Sequence, residues 1–280
     1  MSKLRSIQKI GKARPNHSMG PHVLQVMPSA VETAEPFIFL DHFGPFSKRP
    51  GESGVPPHPH AGISTVTYLF EGSNRHRDSL GNDVVIQAGD IAWMKSGGGI
   101  IHSEGMNELR TEHETIHGVQ IWVSLPAANK FDAPFFQHFT ADMLPAQTFG
   151  EYTVRVLCGH YGDAVSPVQT DSPAYLFHIR ANSGAVIKAS VVSGYTCVLY
   201  CASGGAVCEA ETIAKGCMVQ YSEEGDQVEF RCTEAGDFIL MGGQFLGEPI
   251  VGYASFVMNS YEQISRVISD YQAGRMGHLD

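Results

Sequence analysis

Short runs of β-branched and aromatic residues, each closed within a few positions by glycine or a polar turn, most limit the folds open to this chain. Residues 63–70, ISTVTYLF, end at Glu71 and Gly72. Residues 84–86, VVI, follow the turn sequence DSLGND and stop at Ala88, Gly89 and Asp90. Residues 91–94, IAWM, give way to Gly97, Gly98 and Gly99, and 119–123, VQIWV, is a further run. Such runs fit pleated, half-buried strands, and their spacing with glycine turns predicts an all-β sandwich or barrel. The same style returns at 152–157, 174–179, 185–191, 195–200, 227–231 and 238–241. One helix is expected near the C-terminal end. Ile264, Val267, Ile268 and Tyr271 form an i, i+3, i+4, i+7 stripe, Ser260 with Gln263 fits a capping box, and Gly274 fits a stop.

Between the two β-rich halves lies a connection containing proline and phenylalanine, residues 131–145. It predicts two domains, 1–135 and 136–280, and 280 residues can bury a core in each. The formal net charge of -10 and the absence of a basic block argue against direct nucleic-acid binding. No apolar run approaches the roughly 18 residues of a membrane span. The basic N-terminal segment lacks the apolar stretch of a secretory signal, so a cytoplasmic location is expected. All six cysteines fall in the second half without CxxC spacing. They read as free thiols serving as small buried hydrophobes.

The chemistry concentrates in two places. In VPPHPH, residues 55–60, three prolines stiffen a segment that carries His58 and His60. Thirteen histidines make an HxH pair unremarkable by composition, and a surface turn that happens to hold histidine is the bland alternative. The context favours a metal. Pro59 pushes His58 out of the helical region, and a strand would put both imidazoles on one face, although a polyproline II twist would not. Pro59 also restricts the segment to a strand start or a sheet edge. The second place is Gly97 to Glu104, GGGIIHSE, where His102 and Glu104 again sit two apart. Three imidazoles and one carboxylate suit a divalent transition metal better than magnesium or calcium. No cysteine in the first half is there to close a structural zinc tetrahedron.

These stretches resemble the two-motif plan of the cupin superfamily, and more closely the pirin family. The resemblance rests on FLDHFGP at 39–45, HPHAG at 58–62, TVTY at 65–68, HRDSLGN at 76–82, GIIHSE at 99–104 and HGVQIWVSLP at 117–126. GEP at 247–249, FVMN at 256–259 and DYQAG at 270–274 resemble the family's tail. The match runs over most of the chain. It implies a bicupin: two cupin-type β-barrels with a C-terminal helix and a metal in the first barrel only. The family's ligand set falls on His58, His60, His102 and Glu104. The metal it implies is iron(II) first, with nickel, copper, manganese and zinc as alternatives. One departure stands out: Ser64 occupies the position, four residues after His60, where an acid is usual. That puts the groups around the ligands in question rather than the ligands themselves.

Two functions follow from the resemblance. Several pirins resemble quercetin 2,3-dioxygenases, which open a flavonol ring with O2 and release carbon monoxide. Here Glu104 would take the flavonol 3-hydroxyl proton, and Phe43, Trp93 and Met94 would form an apolar wall, with core packing as the alternative for each. His76 and His117 would line the mouth, or serve as ordinary core or surface histidines. The other function is a non-enzymatic, iron-binding, redox-sensing regulator that binds a protein partner.

Overall fold

A computed structural model of the chain describes residues 2–49, 54–105 and 113–279. It is built almost wholly of β-strands, with one C-terminal α-helix, as the punctuation predicts. The chain forms two compact units. One gathers Met1–His42 with Asp142–Phe245, and the other gathers Phe43–Ala141 with Leu246–Asp280. These differ from the consecutive blocks 1–135 and 136–280 because each end of the chain packs with the opposite half. The strand Ile7–Lys12 pairs with Cys217–Tyr221. The tail, in turn, pairs Phe256 with Ala61.

The unit that begins at Phe43 carries the candidate site. Its strands are β1 (Phe37–Lys48, entering at Phe43), β2 (Val55–His60), β3 (Ile63–Glu71), β4 (Ser73–Asp78), β5 (Asp83–Gln87), β6 (Ile91–Lys95), β7 (Ile100–Gly105), β8 (Glu114–Ser124) and β9 (Phe135–Phe139). One sheet has the order β2-β7-β4-β5, and the other runs β9-β6-β3-β8-β1. The proline-bearing β2 is an edge strand, where a missing N–H costs no ladder bond. β9 lies within the stretch expected to be a connection. Residues Phe135–Phe139 pair antiparallel with β6 along its whole length, since Phe136 finds an apolar cluster to join.

The helix α1 (Tyr261–Gln272) begins where the capping box predicts. Ser260 accepts from the Gln263 backbone N–H, and the Gln263 side chain reaches back to the N–H of Asn259. Ile264 and Val267 are buried in a cluster with Ala61, Phe256, Met258 and Met276, whereas Tyr271 is exposed. The apolar stripe is therefore shorter than the sequence spacing implies. No helix of the described residues is long and apolar enough to cross a membrane.

Behind the site a buried lysine ties three segments together. Lys130 is fully buried, and its ammonium donates to Gly62 O at 2.8 Å, Ser124 Oγ at 3.0 Å and Val257 O at 3.0 Å. Gly62 follows the HxH segment with φ +76, and a Cβ there would meet Val257 O at 2.0 Å. Only glycine fits so close an approach in that conformation.

The other unit has a seven-stranded sheet, in which Ala174–Ala181 lies between Tyr152–Cys158 and Gly236–Gly243. A four-stranded sheet of Val186–Ser190, Gln227–Glu234, Gly205–Cys208 and Glu211–Ala214 completes it. Its core includes Phe177, Leu199, Phe230 and Leu240. Five of the six free cysteines are buried in this unit, and Cys217 is half-buried. Burial pushes the Cys197 thiol up to about 11 and Cys201 up to about 12, as fits thiols that pack rather than react. His178 Nε2 lies 2.8 Å from Asp237 Oδ1, which also accepts from Arg180.

Two predictions follow from these buried polar groups. Lys130→Met leaves three acceptors without their donor, each worth about 1–3 kcal/mol when buried. Equilibrium urea unfolding should show a loss of about 3 kcal/mol; a loss under about 0.5 kcal/mol would contradict the tie. Asp41 is 4% exposed, and burial raises its carboxyl to about 7 despite the Asn16 side-chain hydrogen bond. Its folded pKa thus exceeds the unfolded value, so the native state holds the extra proton between about pH 4 and 7. Stability falls as pH rises through that window. Asp41→Asn should flatten this dependence and be the more stable protein at pH 8, by at most about 4 kcal/mol. Denaturation midpoints measured at pH 5 and 8 check the sign.

Candidate metal centre

Strand alternation and sheet pairing bring the site together. Across β7 and β2, His102 stands opposite His58 and Ile100 opposite His60. Across β7 and β4, His102 stands opposite Asp78 and Glu104 opposite His76. Directly opposed residues share a face, so the i, i+2 pairs of β2, β7 and β4 all point into the same interior. The ring centroids of His58, His60 and His102 lie 4.4 to 4.9 Å apart.

Their nitrogens converge. One ligand atom from each of His58, His60 and His102 lies within 4.8 Å of the others. The His58 Nδ1–H donates to Pro56 O at 2.9 Å, and the His60 Nδ1–H donates to Ser255 O at 3.2 Å. Backbone carbonyls thereby fix both rings and leave each Nε2 bare. The Nε2 atoms of His58 and His102 are 3.0 Å apart. Two nitrogens bound about 2.1 Å from one ion at near right angles would be about 3.0 Å apart. The His60 Nε2 is buried and has no hydrogen-bond partner among the described residues. Burial first, then the neighbouring His58, lowers His60 to about 3. Burial, then His60 and His58, holds His102 well below the ordinary histidine range. Neutral imidazole is the ligating form, so this donor set fits a transition metal.

Glu104 is buried in the same interior but lies outside the three-imidazole set. Its Oε1 accepts from Thr67 Oγ1 at 2.6 Å, and its Oε2 accepts from the Gln120 side-chain amide. Thr67 and Gln120 are cross-strand partners on β3 and β8. Two places along the same pair of strands, Thr65 stands opposite Trp122, whose ring lies edge-on to His60 at 5.2 Å. Thr65, Thr67, Gln120 and Trp122 were not singled out from sequence. The signal available was the period of two in β3, counted from a residue known to face inward.

The same alternation places the remaining candidates. Met94 stands opposite Thr65 and shares the site's face. Trp93 stands opposite Val66 and shares the other face, where it is buried in packing. Ser64 also turns away from the Thr65 and Thr67 face, so the missing acid at that position leaves the site's lining unchanged. Phe43 packs with Leu69, Ile86, Ala92 and Phe136 in one apolar cluster. His76 stacks on Phe136 with centroids 4.3 Å apart and lies 5.4 Å from the His102 ring. Its Nε2 lies 3.0 Å from Asp78 Oδ2, and Asn82 donates to both Asp78 oxygens. Burial raises Asp78, but hydrogen bonds from His76 and Asn82 outweigh it and leave the carboxyl below its usual range. His117 is buried with its ring 4.8 Å from Phe70.

Residues 19–123 match the family model described as Pirin, and residues 176–277 match Pirin C-terminal cupin domain. A pirin-like protein of Caulobacter vibrioides is 35% identical over 246 residues, covering 86% of this chain and 84% of the relative. Human pirin is 32% identical over 253 residues, covering 88% and 84%. A crystal structure of quercetin 2,3-dioxygenase from Acinetobacter baumannii superposes with a TM-score of 0.93 at 28% identity, covering 99% of this chain and 100% of that one. The expected two-barrel cupin fold is thereby confirmed.

His60→Phe tests the ring's role. Phenylalanine keeps the edge contact with Trp122 and removes a buried nitrogen that lacks a partner, but gives up the hydrogen bond to Ser255 O. The two effects oppose one another, so the metal-free variant should stay within about 1 kcal/mol of the parent. It should also lose any rise in Tm that nickel gives the parent. A variant that retains that rise would contradict His60 as a ligand.

Proposed function

The chain belongs to the pirin family, and with that as premise we propose that it is a metal-dependent dioxygenase that opens the ring of quercetin-type flavonols with O2. The observation that carries the reading is the meeting of three imidazoles, the buried His60 and His102 and the half-buried His58, whose nitrogens converge within 4.8 Å. The structural likeness to a quercetin 2,3-dioxygenase supports the substrate class, a small aromatic molecule. A divalent ion, iron(II) first with nickel, copper, manganese or zinc as alternatives, would act as a Lewis acid toward the flavonol 3-oxygen.

The protein's own groups supply the rest. His58, His60 and His102 would hold the ion, with Glu104 as the fourth ligand that the family resemblance implies, and the Nδ1 contacts of His58 and His60 to Pro56 and Ser255 keep two of the rings from turning. Glu104 receives the 3-hydroxyl proton. Each of its oxygens accepts one hydrogen bond in the structure, and a carboxylate offers about four acceptor positions. Phe43, Phe136 and Met94 provide apolar surface for the flavonol rings. His76, stacked on Phe136 and held by Asp78, gives that wall a polar edge.

Oxygen uptake and carbon monoxide release with quercetin test the reading. Metal-loaded protein should turn over steadily. His58→Ala should abolish turnover along with metal content. Glu104→Gln should lower kcat by about 100-fold, the scale of a lost general base, with the metal retained. Full metal content without turnover on any flavonol would contradict the proposal.

A further inference from the structure

Two half-buried side chains interrupt the inward face of β8. From Ile116 to Ser124 every residue of this strand is buried except Gln120 and Trp122. Positions two apart share a face, and here it is the one turned to the site. Gln120 donates to Glu104, and the Trp122 ring lies edge-on to His60 at 5.2 Å. β8 lies between β3 and β1, so its inward side chains keep exposed surface only where the interior is open. The neighbouring inward positions are closed: Thr65 is 3% exposed, Thr67 4% and Met94 1%. His58 on β2 is the half-buried member of the three imidazoles. The open part of the interior therefore runs along β8 and reaches the histidine cluster beside Trp122. The chain's other tryptophan behaves as packing does, since Trp93 faces the opposite way and is 2% exposed.

We propose that Trp122 is the platform on which a planar ring of the substrate stacks, so that this indole selects flat aromatic molecules over puckered ones of equal size. The inference rests on the proposed function and deepens it by naming the side chain that recognises the substrate class. An indole is a large, rigid, flat apolar surface, and rings stack with centroids about 4.5–7 Å apart. It loses little rotamer freedom when a partner binds. The edge contact with His60 holds the indole beside the cluster, so a ring stacked on Trp122 lies next to the three imidazoles. An aliphatic side chain at this position would bury apolar area without preferring a flat partner. The role is additional to the apolar surface of Phe43, Phe136 and Met94.

Equilibrium dialysis of zinc-loaded, full-length protein without O2 tests this with two molecules: quercetin, which is flat, and its 2,3-dihydro analogue, whose central ring is puckered. Trp122→Leu should weaken quercetin binding about 10-fold and binding of the analogue by less than about 2-fold. Trp122→Phe keeps a ring and should stay within about 3-fold of the parent for both. Zinc affinity should match the parent's in both variants, which separates a lost platform from a damaged centre. The indole N–H resonances of the two tryptophans give a second readout, taken on the parent. Quercetin should shift the resonance that is missing from Trp122→Phe and leave that of Trp93 in place. Unchanged quercetin affinity in Trp122→Leu, an equal loss of both molecules, or a shift confined to Trp93 overturns the inference. A parent that binds zinc but neither molecule overturns the proposed substrate class and the inference with it. A parent that binds no transition metal overturns the proposed metal centre, on which both rest.

Discussion

The structure depends on one arrangement: imidazole rings turned by backbone carbonyls so that their second nitrogens face each other. Pro56 and Ser255 each take the Nδ1–H of one histidine, at 2.9 and 3.2 Å. Buried polar atoms without partners are costly, and the His60 Nε2 is such an atom among the described residues. A chain keeps that cost where it serves a ligand. The tail hairpin supplies one of these carbonyls. Ser255 belongs to the turn between Val251–Tyr253 and Phe256–Met258, and its hydroxyl also donates to Pro59 O.

That dependence explains why the ends of the chain pack as they do. The hairpin and α1 are some two hundred residues from the HxH segment, yet they form one compact unit with it. Lys130 secures the junction by bridging Gly62, Ser124 and Val257, and Gly62 permits a backbone approach that any side chain would block. The arrangement of the three histidines is thus maintained from behind by a buried lysine. An edge strand such as β2 has a neighbour on one side only, so side chains on it need support of this kind to keep one position.

Much of this was legible in the sequence, for reasons that differ by residue. His58, His60, His102 and Glu104 were readable because strands alternate faces and both motifs carry their functional groups two apart. Glycine and proline punctuation gave the β class, and the capping box gave α1. Other features depend on contacts between distant segments. The grip of Thr67 and Gln120 on Glu104 requires the register of β3 against β8. Trp93 and Met94 look alike as neighbours in sequence, yet adjacent positions on a strand face opposite ways, and only Met94 faces the site. Ser64 looked consequential from its count after His60, but it points away from the interior. Lys130 carried no signal at all, since a single lysine after a loop reads as a surface residue until its three acceptors are in view. The exchange of chain ends between units has no local signature.

X-ray absorption at the metal edge, on protein purified without added metal and again after loading to one equivalent, tests the central claim most directly. The account predicts about one ion per chain with the outer-shell scattering of three imidazoles. That scattering should fall by one imidazole in His60→Phe. Protein that takes up no transition metal, or binds it with scattering from oxygen alone, would contradict it.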